Sequence, residues 1–265
     1  MEHSEKLARL DDPRILRHLF HPRRQTDHTP PAGARDWCMD ANDGTRLCGR
    51  FYLGDPSWCN ILFFHGNGEI APDYDAIGPM YHSIQANFLV MDYRGYGQSG
   101  GSPTVSHMLH DAHGVCDAVR TWLSREGRNN GPFVIMGRSL GSAPSLEIAA
   151  AYQPDVDGLV IESGFSRTIP LLRRLGISAQ SLGLDDSEDG ISNLDKMRQF
   201  RKPTLIIHAE HDHIIPHDHG VELFEACPAT EKRMFTVRGA NHNDIFIQAG
   251  MAYFNEIRGL LDKVE

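Results

Sequence analysis

Three side chains in this sequence, a serine, an aspartate and a histidine, stand in settings that suit nucleophilic acyl transfer. A serine hydroxyl attacks poorly until a neighbouring base takes its proton, and the base works best when a buried carboxylate fixes its tautomer. The serine is Ser139, within Gly137-Arg138-Ser139-Leu140-Gly141, a G-x-S-x-G pattern. The pattern alone is weak, because Gly97-Gln98-Ser99-Gly100-Gly101 matches it too. Context separates the two. Ser139 directly follows the apolar run Phe133-Val134-Ile135-Met136 and opens a helical pattern over 139–152, so it is predicted on a tight strand-to-helix turn. Glycine on either side lets the hydroxyl project, and a helix N-terminus favours developing negative charge. A helix N-cap would use a serine in the same place. Ser99 lies seven residues beyond its strand with no helix following and reads as a loop serine.

Among fifteen histidines, His242 in Gly239-Ala240-Asn241-His242-Asn243-Asp244 is the candidate base, because its loop leaves the last predicted strand and enters the terminal helix. Its bland alternative is a capping or surface-loop histidine. The candidate acid is Asp212, in His211-Asp212-His213-Ile214-Ile215-Pro216, just past the strand at 204–208. Sites in open α/β sheets lie at that edge. Glu210 in the same loop and Glu162 at the end of the preceding strand are rivals. His211, Asp212, His213, His217, Asp218 and His219 also suggest a metal cluster, but their spacing fits neither H-E-x-x-H nor C-x-x-C, and a solvated turn is the simpler reading. No metal or other cofactor is expected. Acyl transfer further needs two N–H donors aimed at the oxyanion. Leu140 would supply one, and Asn67 in His65-Gly66-Asn67-Gly68-Glu69 the other through its main chain, although a bare glycine turn explains the same residues.

Positioning these groups requires strands that end at one edge of a sheet. Apolar runs at 60–64, 88–92, 133–137, 158–162, 204–208 and 233–237 are continuous, as in strands buried on both faces. An alternating run at 46–52 follows the turn Asn42-Asp43-Gly44 and reads as an antiparallel edge or hairpin strand. Helical patterns fill the gaps at 107–123, 139–152, 220–226 and 243–263. That alternation predicts an α/β fold with a mainly parallel sheet and helices on both faces. Residues 1–32 read as an N-terminal extension, packed or loose, before a single domain at 33–265. Residues 165–200 interrupt the alternation and are predicted to form a small cap after the sixth strand. Its apolar spacing offers Ile169, Leu172 and Leu175 as lining for an acyl chain, ahead of an acidic stretch at 185–189.

Composition excludes several classes. A net charge of -9, with no basic cluster, argues against nucleic-acid partners. No apolar run approaches the roughly 18 residues of a membrane span, and the first residues lack the apolar core of a secretion signal, so a cytoplasmic location is expected. The five cysteines are odd in number, spread out and without a C-x-x-C pair, which predicts free, mostly buried thiols.

Taken in order, Phe64-His65-Gly66-Asn67, Asp92-Tyr93-Arg94-Gly95-Tyr96-Gly97, the Ser139 motif, the Asp212 loop and the His242 loop resemble the Bem46-type α/β-hydrolases, near their serine-aminopeptidase-like and protein-depalmitoylase branches. The resemblance runs from about Trp37 to the C-terminus. It implies the α/β-hydrolase fold with an eight-stranded-type sheet, a Ser139–His242–Asp212 triad, and an oxyanion hole from Asn67 and Leu140. Gly68-Glu69 stands where that family usually has Ala-Gly, and Ala209 where it usually has glycine. The expected activity is hydrolysis of a small or medium carboxylic ester or thioester through an acyl-enzyme. Amide cleavage by the same triad and a non-catalytic binding role are the alternatives.

Overall fold

The computed structural model describes residues 7–25, 29–185 and 189–264. Eight strands form one sheet: β1 (Ala34–Asp40), β2 (Arg46–Tyr52), β3 (Cys59–Phe64), β4 (Ala86–Met91), β5 (Phe133–Arg138), β6 (Gly158–Glu162), β7 (Thr204–Ala209) and β8 (Lys232–Val237). Their spatial order is β1-β2-β4-β3-β5-β6-β7-β8. β1 and β2 form an antiparallel hairpin, β2 joins β4 antiparallel, and every later pairing is parallel. The consequence for function is geometric. All the parallel strands end at the same edge, and the loops that leave them carry residues 65–69, 138–142, 163–166, 210–216 and 238–244 to it.

Strand side chains alternate between two apolar cores. On β3, Leu62 and Phe64 face one layer while Ile61 and Phe63 face the other, and on β5 Ile135 opposes Val134 and Met136. The first layer is covered by α2 (Val105–Arg125) and α3 (Ser142–Ala151). α2 starts where the Thr104 hydroxyl accepts the His107 N–H, and it buries Val105, Met108, Leu109, Ala112, Val115, Cys116, Val119 and Leu123 at helical spacing. The second layer is covered by the terminal helix α8 (Met251–Leu261) and by 3₁₀ turns at Ala71–Tyr74 and Gly78–Ile84.

The extension packs onto the domain. Helix α1 (Pro13–Leu19), capped by Asp12, sinks Ile15 and Leu19 into the first core together with Phe20. The following residues run beside Gly97, with the Gly97 N–H donating to Arg23 O at 2.8 Å. Residues 1–6, on which the expectation about a secretion signal rests, lie outside the described residues, as do 186–188 of the acidic stretch.

Three expectations change. β1 is an additional edge strand, half-buried and mixed in character, so its apolar alternation is weak. The single terminal helix is two, α7 (Ile245–Ala249) and α8, broken at Gly250, whose φ of 53° suits glycine. Not all cysteines are free, because Cys38 and Cys48 face each other across the β1–β2 ladder and are joined as a disulfide. Hairpin register, which cysteine spacing alone does not reveal, brings them together. Cys59, Cys116 and Cys227 remain buried thiols. Thiol titration of the unfolded protein is therefore expected to count three groups without reductant and two more after reduction.

The 165–200 segment divides. α5 (Asn193–Gln199) packs on α3 and on α6 (His217–Ala226) as the ordinary crossover helix between β6 and β7. The added part is α4 (Thr168–Arg174) and a 3₁₀ turn at Gln180–Leu182. It is tied down at both ends, by Arg174 to the His213 carbonyl at 2.7 Å and by Arg9 to Asp189 at 2.5 Å.

Candidate active site

The turn after β5 is built by exclusion of side chains. A Cβ on Gly137 would lie 2.2 Å from Gly141 O, and one on Gly141 would lie 1.9 Å from Phe64 O, so neither position admits anything larger than glycine. Between them Ser139 takes a φ of 52°, left-handed backbone that costs a residue with a Cβ roughly 1–3 kcal/mol. That conformation turns the chain from strand into a 3₁₀ turn, Ser139–Gly141, which runs into α3. The helical pattern thus begins one turn later than the sequence suggested.

His242 and Asp212 meet Ser139 there. His242 Nε2 lies 2.9 Å from Ser139 Oγ, and its Nδ1 lies 2.7 Å from Asp212 Oδ2. All three residues are buried, with Ser139 retaining 7% exposure. Asp212 is oriented by its own loop, because Oδ1 accepts the N–H groups of Ile214 at 3.0 Å and Ile215 at 2.8 Å, leaving Oδ2 for the imidazole. Burial works against its charge. The hydrogen bond and charge of His242, with the Ile215 N–H, outweigh burial and hold the carboxyl below its ordinary range. The His242 loop is stiffened by Asp244, which accepts the Asn241 N–H at 2.7 Å.

The rivals are engaged elsewhere. Glu210 accepts the Gly239 N–H at 2.8 Å, and Glu162 accepts the Tyr253 hydroxyl at 2.6 Å. Ser99 is buried in the loop after β4, its Oγ accepting the Cys48 N–H at 2.9 Å and donating to Asp92 O at 3.0 Å. The histidine-rich stretch disperses: His217 reaches Thr236 at 2.9 Å, His219 reaches Ser166 at 2.7 Å, and His211 and His213 are exposed. Among the described residues, no three His, Cys, Asp or Glu side chains converge as metal ligands.

β3 and β5 are neighbours in register, Phe64 beside Gly137, so the 65–69 loop lies against the Ser139 turn. This brings the main chains of Asn67 and Leu140 to the same edge. The loop is braced from beneath. His65 is buried with Nδ1 2.8 Å from Gly66 O and Nε2 3.2 Å from Asp92 Oδ1. Burial disfavours its charge, but the neighbouring Asp92 carboxylate outweighs burial and raises its pKa. The Asn67 side chain is held from outside, its Oδ1 accepting the His21 N–H and the Tyr96 hydroxyl, each at 2.8 Å. His21 belongs to the extension, whose place over this loop nothing in the sequence indicated.

Of the proposed cap lining, Leu172 is 0% and Ile169 1% exposed, and both belong to the first core. Only Leu175 is half-buried. Helical apolar spacing marks a buried face equally well whether it meets protein or ligand, and here Ile169 and Leu172 meet protein. Leu172→Ala is accordingly expected to cost about 2–5 kcal/mol of stability in urea unfolding and to leave acyl-chain preference unchanged.

Sequence reasoning missed His208 and the partners of Arg138. His208 lies 3.6 Å from Asp212 behind the acid and donates from Nε2 to Ile215 O at 2.9 Å, and burial pushes its pKa down to about 4, which keeps it neutral. Arg138, inside the Ser139 motif, is 13% exposed at its side chain and sets its guanidinium against Glu69, Glu162 and the His242 carbonyl. The only hint in the sequence was Glu69 standing in the glycine-rich loop.

Residues 58–181 match the family model described as serine aminopeptidase, S33. The human α/β hydrolase domain-containing protein 17B is 32% identical over 207 residues, covering 76% of this chain and 67% of that protein. An esterase of Pyrococcus furiosus superposes with a TM-score of 0.73 at 16% identity, covering 92% of this chain and 98% of its own. A monoglyceride lipase of Saccharomyces cerevisiae gives 0.67 at 15%, covering 89% and 95%. At such identities the two structures speak for the fold. No described helix is long and apolar enough to cross a membrane. With the ordered motifs, the eight-stranded sheet and the likeness to protein 17B, the chain belongs to the Bem46-like family of α/β hydrolases.

Proposed function

We propose that this chain is a serine hydrolase that cleaves a carboxylic ester or thioester through an acyl-enzyme on Ser139, with His242 as base and Asp212 as the acid that orients it. The observation that carries the reading is the unbroken line from Ser139 Oγ to His242 Nε2 at 2.9 Å and from His242 Nδ1 to Asp212 Oδ2 at 2.7 Å. In this arrangement Asp212 holds the proton on Nδ1, so Nε2 is free to take the serine proton as Oγ attacks the acyl carbon. The tetrahedral oxyanion then faces the N–H groups of Leu140 and Asn67, at a place where buried walls strengthen each hydrogen bond. His242 returns the proton to the departing alcohol or thiol. Water repeats the sequence on the acyl-enzyme and releases the acid.

The small-molecule acyl substrate and the absence of a cofactor requirement belong to the same proposal. Amide cleavage would run on the same groups, and the match to a serine aminopeptidase model keeps it as the second reading. One experiment addresses both. The purified protein is treated with a fluorophosphonate probe and the labelled residue is located by mass spectrometry, alongside p-nitrophenyl esters from C2 to C12 and aminoacyl p-nitroanilides. Labelling at Ser139 with faster ester than anilide turnover supports the proposal. Faster anilide turnover would favour the peptidase reading, and a folded protein that neither labels nor turns over either series would sink both.

A further inference from the structure

The residue preceding Ser139 is an arginine, its side chain 13% exposed, that touches the oxyanion-side loop, the end of β6 and the histidine loop. Arg138 Nη2 donates to the His242 carbonyl at 2.7 Å, Nε donates to Glu162 Oε1 at 3.0 Å, and Nη1 donates to Glu69 Oε1. Glu69 passes the connection on. Its Oε2 accepts the Gly66 N–H at 2.7 Å and the Tyr74 hydroxyl at 2.6 Å, which places it inside the oxyanion-side loop. Glu162 Oε2 accepts the Tyr253 hydroxyl at 2.6 Å, anchoring the group to α8. Burial keeps both phenols protonated, raising them well above the ordinary tyrosine value, so they serve as donors. The carboxyl of Glu69 is kept below its usual range, because Arg138 outweighs the effect of burial. The group therefore comprises one cation between two carboxylates, with Nε, Nη1 and Nη2 each donating a hydrogen bond.

Withdrawing three charges largely from water, with Glu162 buried and the Arg138 and Glu69 side chains 13% and 23% exposed, is a costly way to gain stability, and apolar side chains of the same volume commonly do as well or better. What apolar side chains cannot do is fix distances between loops. A planar guanidinium with donors in set directions can. The three contacts join the nucleophile turn, the oxyanion-side loop and the histidine loop, whose mutual placement must hold within about 0.5 Å for acyl transfer.

Resting on the hydrolase reading above, we propose that Arg138 is a positioning residue. Its guanidinium, with Glu69, latches the oxyanion-side loop and the His242 loop to the turn that carries Ser139. The latch acts on the geometry of the transition state and not on the binding of substrate, so its loss falls on kcat.

The test uses Arg138→Lys, Glu69→Gln and the double variant in the full chain, with kcat and KM on p-nitrophenyl butyrate, the rate of fluorophosphonate labelling, and thermal melting. Arg138→Lys keeps the charge but not the three-way geometry, and Glu69→Gln keeps shape and the Gly66 contact but not the ion pair. Each single variant is expected to lose about 10- to 100-fold in kcat with KM within about threefold, and to label more slowly in proportion. The double variant should match the worse single variant and not their product, since both break one unit. Wild-type kcat in both variants, with only a lowered melting temperature, would overturn the latch while leaving the hydrolase reading intact. A loss expressed mainly as raised KM would overturn it too. If Arg138→Lys fails to fold, Glu69→Gln decides the matter alone. A folded wild-type protein without Ser139-dependent turnover would overturn the latch together with the reading beneath it.

Discussion

Ser139→Ala is expected to lower kcat/KM for p-nitrophenyl esters by roughly 10⁴- to 10⁶-fold, to the level left by binding and the oxyanion donors alone. The size follows from how little else the hydroxyl does. Ser139 Oγ lies against His242 Nε2, whereas the fold-bearing contact at this turn is made by its carbonyl, which accepts the Ser142 hydroxyl at 2.7 Å and is unchanged by the substitution. Alanine has the same backbone restrictions as serine at a φ of 52°, so the strain of the turn is retained. Melting temperature should stay within a few degrees, and fluorophosphonate labelling should vanish. A variant that keeps more than about a hundredth of wild-type turnover would show that the chemistry runs elsewhere.

The sheet was legible because a parallel strand buried on both faces advertises itself as an unbroken apolar run. Residues 133–137 and 158–162 are examples, every one of them buried. The candidate nucleophile, Ser139, was legible for a related reason. Packing against Gly141 O and Phe64 O leaves no room for a Cβ, so two glycines had to bracket Ser139, and the same bracket around Ser99 lacked the strand before it and the helix after it. Asp212 and His242 could be placed by strand ends. The group around Arg138 could not, since Arg138, Glu69 and Glu162 come from three separate strand ends and reveal their pairing only when β3, β5 and β6 lie side by side. The same holds for Cys38 and Cys48, which depend on hairpin register, and for His21, whose contact with Asn67 spans 46 positions. Ile169 and Leu172 show the opposite limit: their spacing offers them as lining for an acyl chain, and what covers them is the core.

Asp212→Asn is expected to reduce kcat by about 10³- to 10⁴-fold while leaving the fold in place. Asp212 Oδ1 accepts two backbone N–H groups, from Ile214 and Ile215, and Oδ2 faces His242 Nδ1. Asparagine must keep its carbonyl oxygen toward the two N–H groups, because turning it would aim an NH₂ at donors. Its NH₂ is then fixed toward His242 Nδ1, which must accept, and the imidazole proton moves to Nε2. In that tautomer Nε2 cannot take the serine proton, so the base is lost although every atom is in position. The same substitution predicts a pH signature in stability. The Asp212 carboxyl is held below its ordinary value in the folded state, so its charge contributes stability that is present above the unfolded value of about 4 and is lost as pH falls through the folded value. Wild type should accordingly exceed the asparagine variant in urea unfolding at pH 7, and the gap should narrow on acidification below about pH 4. A gap that instead stays constant from pH 7 to pH 3 would mean that the carboxylate is not held by His242 in solution.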